Sequence, residues 1–391
     1  MSFKEGEPID INNYLTIEAL EDGLTAILYG NACEYCIDGD GNWKVLLDNV
    51  ITEAIGIGHT LSFRGELTPT SSVGIGYFKI LKKCNLLGNC MSMLFGDNAA
   101  NNFSLTGKDY AFKNLFINCS NIVNISADFL PATTLADECY SGMFANCYNL
   151  ITAPSLPAMT LVNSCYYDMF SGCTNLTAAP ELPATALAYG CYENMFRGCT
   201  NLTAAPSILP ATALASGCYE NMFYGCKSLT QAPELPATTL SSYCYYCMFY
   251  NCSKLNYIKA MFTTDPSSLS NYTSSWVSGV SGTGTFVKNK NATWDVIGDD
   301  GIPLGWTVVN DGEESGDNGL TFPVYLITGN NGQLGIDVYN YFKENYSFGI
   351  HALDDNAQVY IDNELQSTVL VTGNVTFGNY LLLSDGDCNL Q

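Results

Sequence analysis

An α+β multidomain fold is predicted: a β-rich N-terminal domain, a solenoid of about 26-residue repeats, and a β-rich C-terminal domain. Three observations predict it. Five near-copies of one unit begin at Leu130, Leu156, Leu182, Leu209 and Leu235, in steps of 26, 26, 27 and 26. A fixed period of this length marks units that bury their apolar faces only against their neighbours. Short strand-like runs precede the repeats, and similar runs follow an acidic, glycine-rich stretch at the far end.

Residues 1–90 read as a β-rich module, a small sandwich or barrel. LTIEAL and LTAILY are split by the turn Glu21-Asp22-Gly23, and EYCI and WKVL flank Asp38-Gly39-Asp40-Gly41. Aspartate–glycine pairs between apolar runs are a strong hairpin signal. TLSFRGEL and GYFKIL complete the set.

The repeats occupy 91–252, opening with degenerate copies at Met93-Leu94-Phe95 and Leu115-Phe116-Ile117-Asn118-Cys119. The full pattern is L-P-A-x-x-L-x-x-x-C-Y-x-x-M-F-x-x-C-x-x-L-T-x-A-P. Leu-Thr-x-Ala-Pro suits only a brief strand, because proline ends the ladder. Cys139, Met143 and Cys147 fall at i, i+4 and i+8, so the Cys-Tyr-x-x-Met-Phe-x-x-Cys run predicts a short helix. Asn146, Gly172, Gly198, Gly225 and Asn251, just before the second cysteine, tolerate the left-handed conformation that ends a helix. Each unit is thus expected to hold one short strand and one short helix.

Residues 253–310 break the period and carry three of the four tryptophans, Trp276, Trp294 and Trp306. They read as an aromatic cap. A linker, Asp311 to Gly319, leads to a small β-rich domain over 320–391, with FPVYLIT, QVYIDN, STVLVTG and NYLLLS as strands and IDVYNYFKENY as a helix.

Ten of the 17 cysteines recur in two columns of the repeat. Core spacing favours buried thiols, since free cysteine packs as a small hydrophobe. Disulfides and a metal site are the alternatives, and Cys33-x-x-Cys36 lacks the second pair a zinc site would use. Lys and Arg total 15 against 38 Asp and Glu, a net charge of −23. That balance argues against nucleic acid and against an anionic membrane surface. No run of 18 apolar residues is present, so no membrane insertion is expected. The N-terminus, MSFKEGEPIDINNYL, is polar and acidic, and no Sec signal is expected in it.

The repeat, in the form MFSGCTNLTAAPELPATALA over 169–188, resembles the BspA-like leucine-rich-repeat proteins. These are adhesive surface proteins of Bacteroides and its relatives, also encoded by viruses that infect them. Trp276 to Val308 resembles the C-terminal cap of that group, and Leu15 to Trp43 its preceding β module. The resemblance implies a leucine-rich-repeat-like solenoid and an adhesive role without catalysis.

Bland readings prevail for most candidate chemistry. Asp38-Gly-Asp40-Gly-Asn42 begins like a calcium loop, but Trp43 stands at the sixth position and Asn49 at the twelfth, so a hairpin turn is expected. His59 and His351 are far apart and form no metal motif. Asn175-Leu-Thr177 and Asn201-Leu-Thr203 read as turn formers. The column Tyr140, Tyr166, Tyr192, Tyr219 and Tyr245 is either a stacking ladder or an exposed stripe for glycan or protein contact. No catalytic motif, cofactor or metal is expected.

The variable repeat positions are the candidate binding residues. Two residues after the first cysteine lie Ser141, Tyr167, Glu193, Glu220 and Tyr246, and in the slot after Met-Phe lie Ala145, Ser171, Arg197, Tyr224 and Tyr250. The large or charged members, Tyr167, Glu193, Arg197, Glu220, Tyr224, Tyr246 and Tyr250, are the predicted binding residues. The expected function is a non-enzymatic adhesion or receptor-binding protein on a bacteriophage virion, in a tail fibre or decoration role. The expected partners are other virion proteins and a host cell-surface protein or glycan. A homo-oligomer is also considered, although no heptad or triple-helix pattern sets its order. The alternatives are a bacterial cell-surface adhesin and a purely structural assembly protein.

Overall fold

The structure is a computed structural model that describes residues 7–71, 73–268, 271–312, 360–361 and 364–365. The chain divides into two compact units, Met1–Glu314 and Ser315–Gln391. In the second, Tyr360–Ile361 pairs antiparallel with Glu364–Leu365. The other strands and the helix expected after residue 320 lie outside the described residues.

The first unit opens with β1 (Leu15–Ala19), β2 (Ala26–Tyr29), β3 (Cys33–Ile37), β4 (Lys44–Leu46), β5 (Thr60–Arg64), β6 (Tyr77–Ile80) and β7 (Cys84–Gly88). With β8 (Ile122–Ile125) they form a six-stranded sheet in the order β4-β3-β5-β1-β7-β8, while β2 pairs separately with β6. All pairs are antiparallel except β7 with β8. Leu15, Ile17, Leu61, Phe63 and Leu86 are fully buried in its core. Beyond β3, Asp38 (φ 52°) and Gly39 (φ 63°) are both left-handed. The Asp40 N–H donates to the Ile37 carbonyl at 3.0 Å, which closes a two-residue turn of the kind hairpins favour. The calcium-like run is therefore turn structure. Because β8 lies within the repeat region, the sheet leads directly into the repeats.

The expected α+β fold with a leucine-rich-repeat-like solenoid is overturned. The regular secondary structure of the described residues is mostly β, in small sheets. Their one α-helix is α1 (Ser92–Phe95), four residues long, which takes up the supposed opening copy Met93-Leu94-Phe95. No helix and no regular strand forms in the five full units between residues 130 and 252. The Leu-Thr-x-Ala-Pro segments supply only isolated parallel bridges, such as Ala178 with Ala204.

Backbone conformation explains the missing helix. In the Cys-Tyr-x-x-Met-Phe-x-x-Cys run every fourth residue is left-handed: Glu138, Gly142 and Asn146, then Ser164, Asp168 and Gly172, then Gly190, Asn194 and Gly198. An α-helix needs a right-handed residue at every position. The run is instead a chain of tight turns. Met143, Ala145 and Cys147 donate to the carbonyls three residues back, those of Tyr140, Gly142 and Phe144, at 3.0–3.2 Å. The alternate N–H groups leave the unit. Glu138, Tyr140, Gly142, Phe144 and Asn146 donate to the carbonyls of Asn163, Cys165, Tyr167, Met169 and Ser171 in the next unit, at 2.7–3.0 Å. The same five positions donate forward at each later junction up to Asn251 with Ser278.

Side chains stack in the same register. Phe78 of β6, Phe116, Phe144, Phe170, Phe196, Phe223 and Phe249 form one ladder, with centroids 5.4–5.7 Å apart. Phe112, Tyr140, Tyr166, Tyr192, Tyr219 and Tyr245 form a second, at 5.6–6.0 Å. The tyrosine column is almost wholly buried, so it is a stacking ladder and not an exposed stripe. Both ladders end on Trp276, 6.0 Å from Tyr245 and 6.1 Å from Phe249. Its indole N–H donates to the Gly301 carbonyl at 2.8 Å. Trp294 stacks on Phe262 at 4.9 Å. The structure thus gives the tryptophans of 253–310 partners at the end of the stack.

Cys147, Cys173, Cys199, Cys226 and Cys252 each donate S–H to the carbonyl of a phenylalanine one unit back, at 3.0–3.2 Å. The cysteines of the described residues are buried free thiols. Asn149, Asn175 and Asn201 form a side-chain ladder with contacts of 3.4 Å, a stacking role beyond turn formation.

The left-handed positions of the turn run set the cost of adding a side chain. Gly198 has φ 74°. A methyl group there would meet nothing closer than 3.9 Å, so only the backbone conformation opposes it. Gly198→Ala is expected to destabilise the protein by about 1–2 kcal/mol. Equilibrium denaturation of the variant against the wild type gives the sign.

Candidate functional site

The turn runs bury Cys, Tyr, Met and Phe and turn the remaining positions to one outer face. The predicted binding residues all lie on that face, in two parallel columns. Arg197 is exposed, while Tyr167, Glu193, Glu220, Tyr224, Tyr246 and Tyr250 are half-buried. Their placement is set by backbone that cannot easily move. The carbonyls of Tyr167, Glu193, Glu220 and Tyr246 accept from Gly142, Asp168, Asn194 and Asn221 of the preceding units at 2.7–3.0 Å. Those of Arg197, Tyr224 and Tyr250 accept from Gly172, Gly198 and Gly225 at 2.7 Å.

One column is a continuous cationic and aromatic strip. The Arg197 guanidinium lies 5.1 Å from the centre of the Tyr224 ring, and Tyr224 stacks on Tyr250 at 4.8 Å with an angle of 11°. A guanidinium over an aromatic face is held by the ring quadrupole. The neighbouring column holds Tyr167, Glu193, Glu220 and Tyr246, with Tyr246 set edge-on to Tyr243 at 5.6 Å.

Carboxylates crowd the middle of this column. Burial pushes the Glu193 carboxyl up to about 7, and the Glu220 and Asp168 carboxylates add to the effect. Burial also raises Glu220. Asp168 is raised by burial against the opposing pull of Arg197. The Tyr167 phenol is raised by burial, then by Asp168 and Glu193.

Toward the first full unit the face deepens into a groove of about 430 Å³, lined by Lys113, Asn114, Ile117, Glu138, Ser141, Gly142, Ala145, Ser164, Tyr167 and Asp168. Lys113 and Glu138 form an ion pair of 2.7 Å on one side. Of the groove residues Tyr167 is a predicted binding residue, and Ser141 and Ala145 belong to the same two variable columns. The signal for a groove was the small size of Ser141 and Ala145, in slots that hold larger residues in the other units.

The β module has a second groove of 440 Å³, lined by residues that include Glu34, Arg64 and Asp97. Arg64 is paired there, with Glu34 and Asp97 at 2.8 Å and its guanidinium 4.1 Å from the Trp43 ring. His59 bonds Asp38 at 2.6 Å. No group of three or more His, Cys, Asp or Glu side chains is placed to hold a metal among the described residues. No helix among them is long and apolar enough to cross a membrane.

Compared with protein-family models, curated proteins and solved structures, the chain matches none.

The crowding at Glu193 has a pH signature. Its carboxyl is raised from 4.5 to about 7 on folding, so the native state binds the extra proton between those values. Stability from this group is present below pH 4.5 and is lost as pH rises through about 7. Glu193→Gln is expected to remove that loss. Thermal melts at pH 5, 6, 7 and 8 should show the variant gaining on the wild type as pH rises.

Proposed function

We propose that this chain is a non-enzymatic adhesion or receptor-binding protein, carried on a bacteriophage virion in a tail-fibre or decoration role, that contacts a bacterial cell-surface protein or glycan. One observation carries the reading. Chemically varied side chains from Tyr167 to Tyr250 stand on one face of a frame whose buried positions repeat almost unchanged. A rigid frame with varied outward positions is an arrangement for recognition, and tyrosine and arginine are the side chains that supply most contact energy. Tyrosine offers an apolar ring and a hydroxyl together, which suits glycan and protein surfaces alike.

The virion setting is supported by the resemblance of residues 15–310 to adhesive proteins that viruses of Bacteroides also encode. The free, buried thiols support folding in a reducing compartment, such as an infected cell. A bacterial cell-surface adhesin is the second reading, favoured by the same resemblance.

Two measurements test the proposal. Mass spectrometry of purified virions and of host envelopes should find the chain in virions at a stoichiometric level; presence in envelopes alone would sink the virion setting. Purified protein should bind host cells, and Arg197→Ala combined with Tyr224→Ala and Tyr250→Ala should weaken that binding by about tenfold or more with the fold intact. Unchanged binding would remove the repeat face as the contact surface.

A further inference from the structure

We propose that the groove between Lys113 and Asp168 is a binding subsite for a neutral saccharide. The inference rests on the adhesive reading above and narrows it to one place and one ligand class.

The shape comes from an interruption of the face. In the unit of Cys139 the outward slots hold Ser141 and Ala145. The unit before presents Lys113 and Ile117 in those slots, and the unit after presents Tyr167 and Ser171. A low step between two taller ones leaves a trough across three successive units. Its volume, about 430 Å³, is within the range of small-molecule sites. The floor cannot be raised casually. Gly142 is left-handed at φ 62°, and a methyl group on it would collide with Asn114 Oδ1.

The lining selects the ligand. Asn114, Ser141, Ser164, Glu138 and Asp168 bring amide, hydroxyl and carboxylate groups to one trough, and Tyr167 brings an aromatic ring. That combination matches a molecule with hydroxyls around its rim and C–H groups on its faces. Anionic ligands are disfavoured. The one cationic side chain of the lining, Lys113, is already paired with Glu138 at 2.7 Å, which leaves Asp168 as excess negative charge. The net charge of −23 opposes anions at longer range.

The test titrates the full chain with neutral tetrasaccharides of glucose, mannose and N-acetylglucosamine, and with a sulfated heparin tetrasaccharide, by calorimetry. Binding of a neutral sugar and not of heparin is expected. Ala145→Tyr should abolish it by filling the trough. That variant places in the slot the residue that Tyr224 and Tyr250 already supply in later units, so the turn run accommodates it. Tyr167→Ala should weaken binding by about tenfold or more. Preference for heparin, no binding of any neutral sugar, or neutral-sugar binding that survives Ala145→Tyr would each overturn the proposal. Host-cell binding that is lost in the Arg197, Tyr224 and Tyr250 variant but kept in Ala145→Tyr would overturn the groove alone and leave the adhesive face standing.

Discussion

The left-handed residue at every fourth position governs the rest of this molecule. It turns each peptide group that follows an odd position of the run out of the unit and aligns it with the stack. The carbonyl of Cys165 accepts from Tyr140 behind it, and the N–H of the same peptide, on Tyr166, donates to Cys191 ahead. A helix would have spent these bonds within the unit, leaving side-chain packing to hold neighbours together. Here the backbone does so, and the phenylalanine, tyrosine and cysteine ladders follow from its register.

Aligned peptides have an electrostatic consequence. In an ordinary sheet the peptide dipoles alternate and cancel. In this stack every forward-donating peptide points the same way, so the N–H ends face the C-terminal cap and the carbonyl ends face the β module, as dipoles add in a helix. Both ends are closed accordingly. At the cap, Asp300 accepts from the Ser275 N–H through its carboxylate at 2.6 Å, and the Asp299 carbonyl accepts from Val277 at 3.2 Å. At the other end Phe78 of β6 imitates a preceding unit. Its ring stacks on Phe116, its N–H donates to the Leu115 carbonyl at 2.7 Å, and its carbonyl accepts the Cys119 thiol at 2.9 Å.

How much of this was legible follows from what the sequence pattern encodes. Buried columns were plain, because Cys, Tyr, Met and Phe recur without change. The helix was misread because a turn run with a period of four places Cys139, Met143 and Cys147 on one side just as a helix does. The discriminating signal was a second column of residues suited to left-handed backbone, Gly142, Asp168, Asn194 and Asn221, four positions before the one that was recognised. Glu138, Ser164, Tyr243 and Cys247 adopt the same conformation without being typical of it, which blurs the pattern. The outward direction of Tyr167 to Tyr250 was readable from their variation. The groove was not, because it depends on the relative height of side chains in three units.

Stacking in register also explains which residues vary. Each side chain lies about one strand spacing, roughly 5 Å, from its counterparts in the next units. Residues that interact well with copies of themselves therefore repeat. Aromatic rings stack, asparagine amides bond one another, and thiols reach a carbonyl one unit back. A repeated carboxylate does the opposite, since like charges at this spacing repel and each raises the other's affinity for a proton. Glu193 beside Glu220 breaks the rule, with Asp168 adding a third negative charge. Stability gives no reason to keep such a cluster, and glutamine would fit either slot without the repulsion. Its position on the outer face, between the groove at Tyr167 and the strip from Arg197 to Tyr250, gives a reason in recognition: carboxylates are strong acceptors for a partner's hydroxyl and N–H groups.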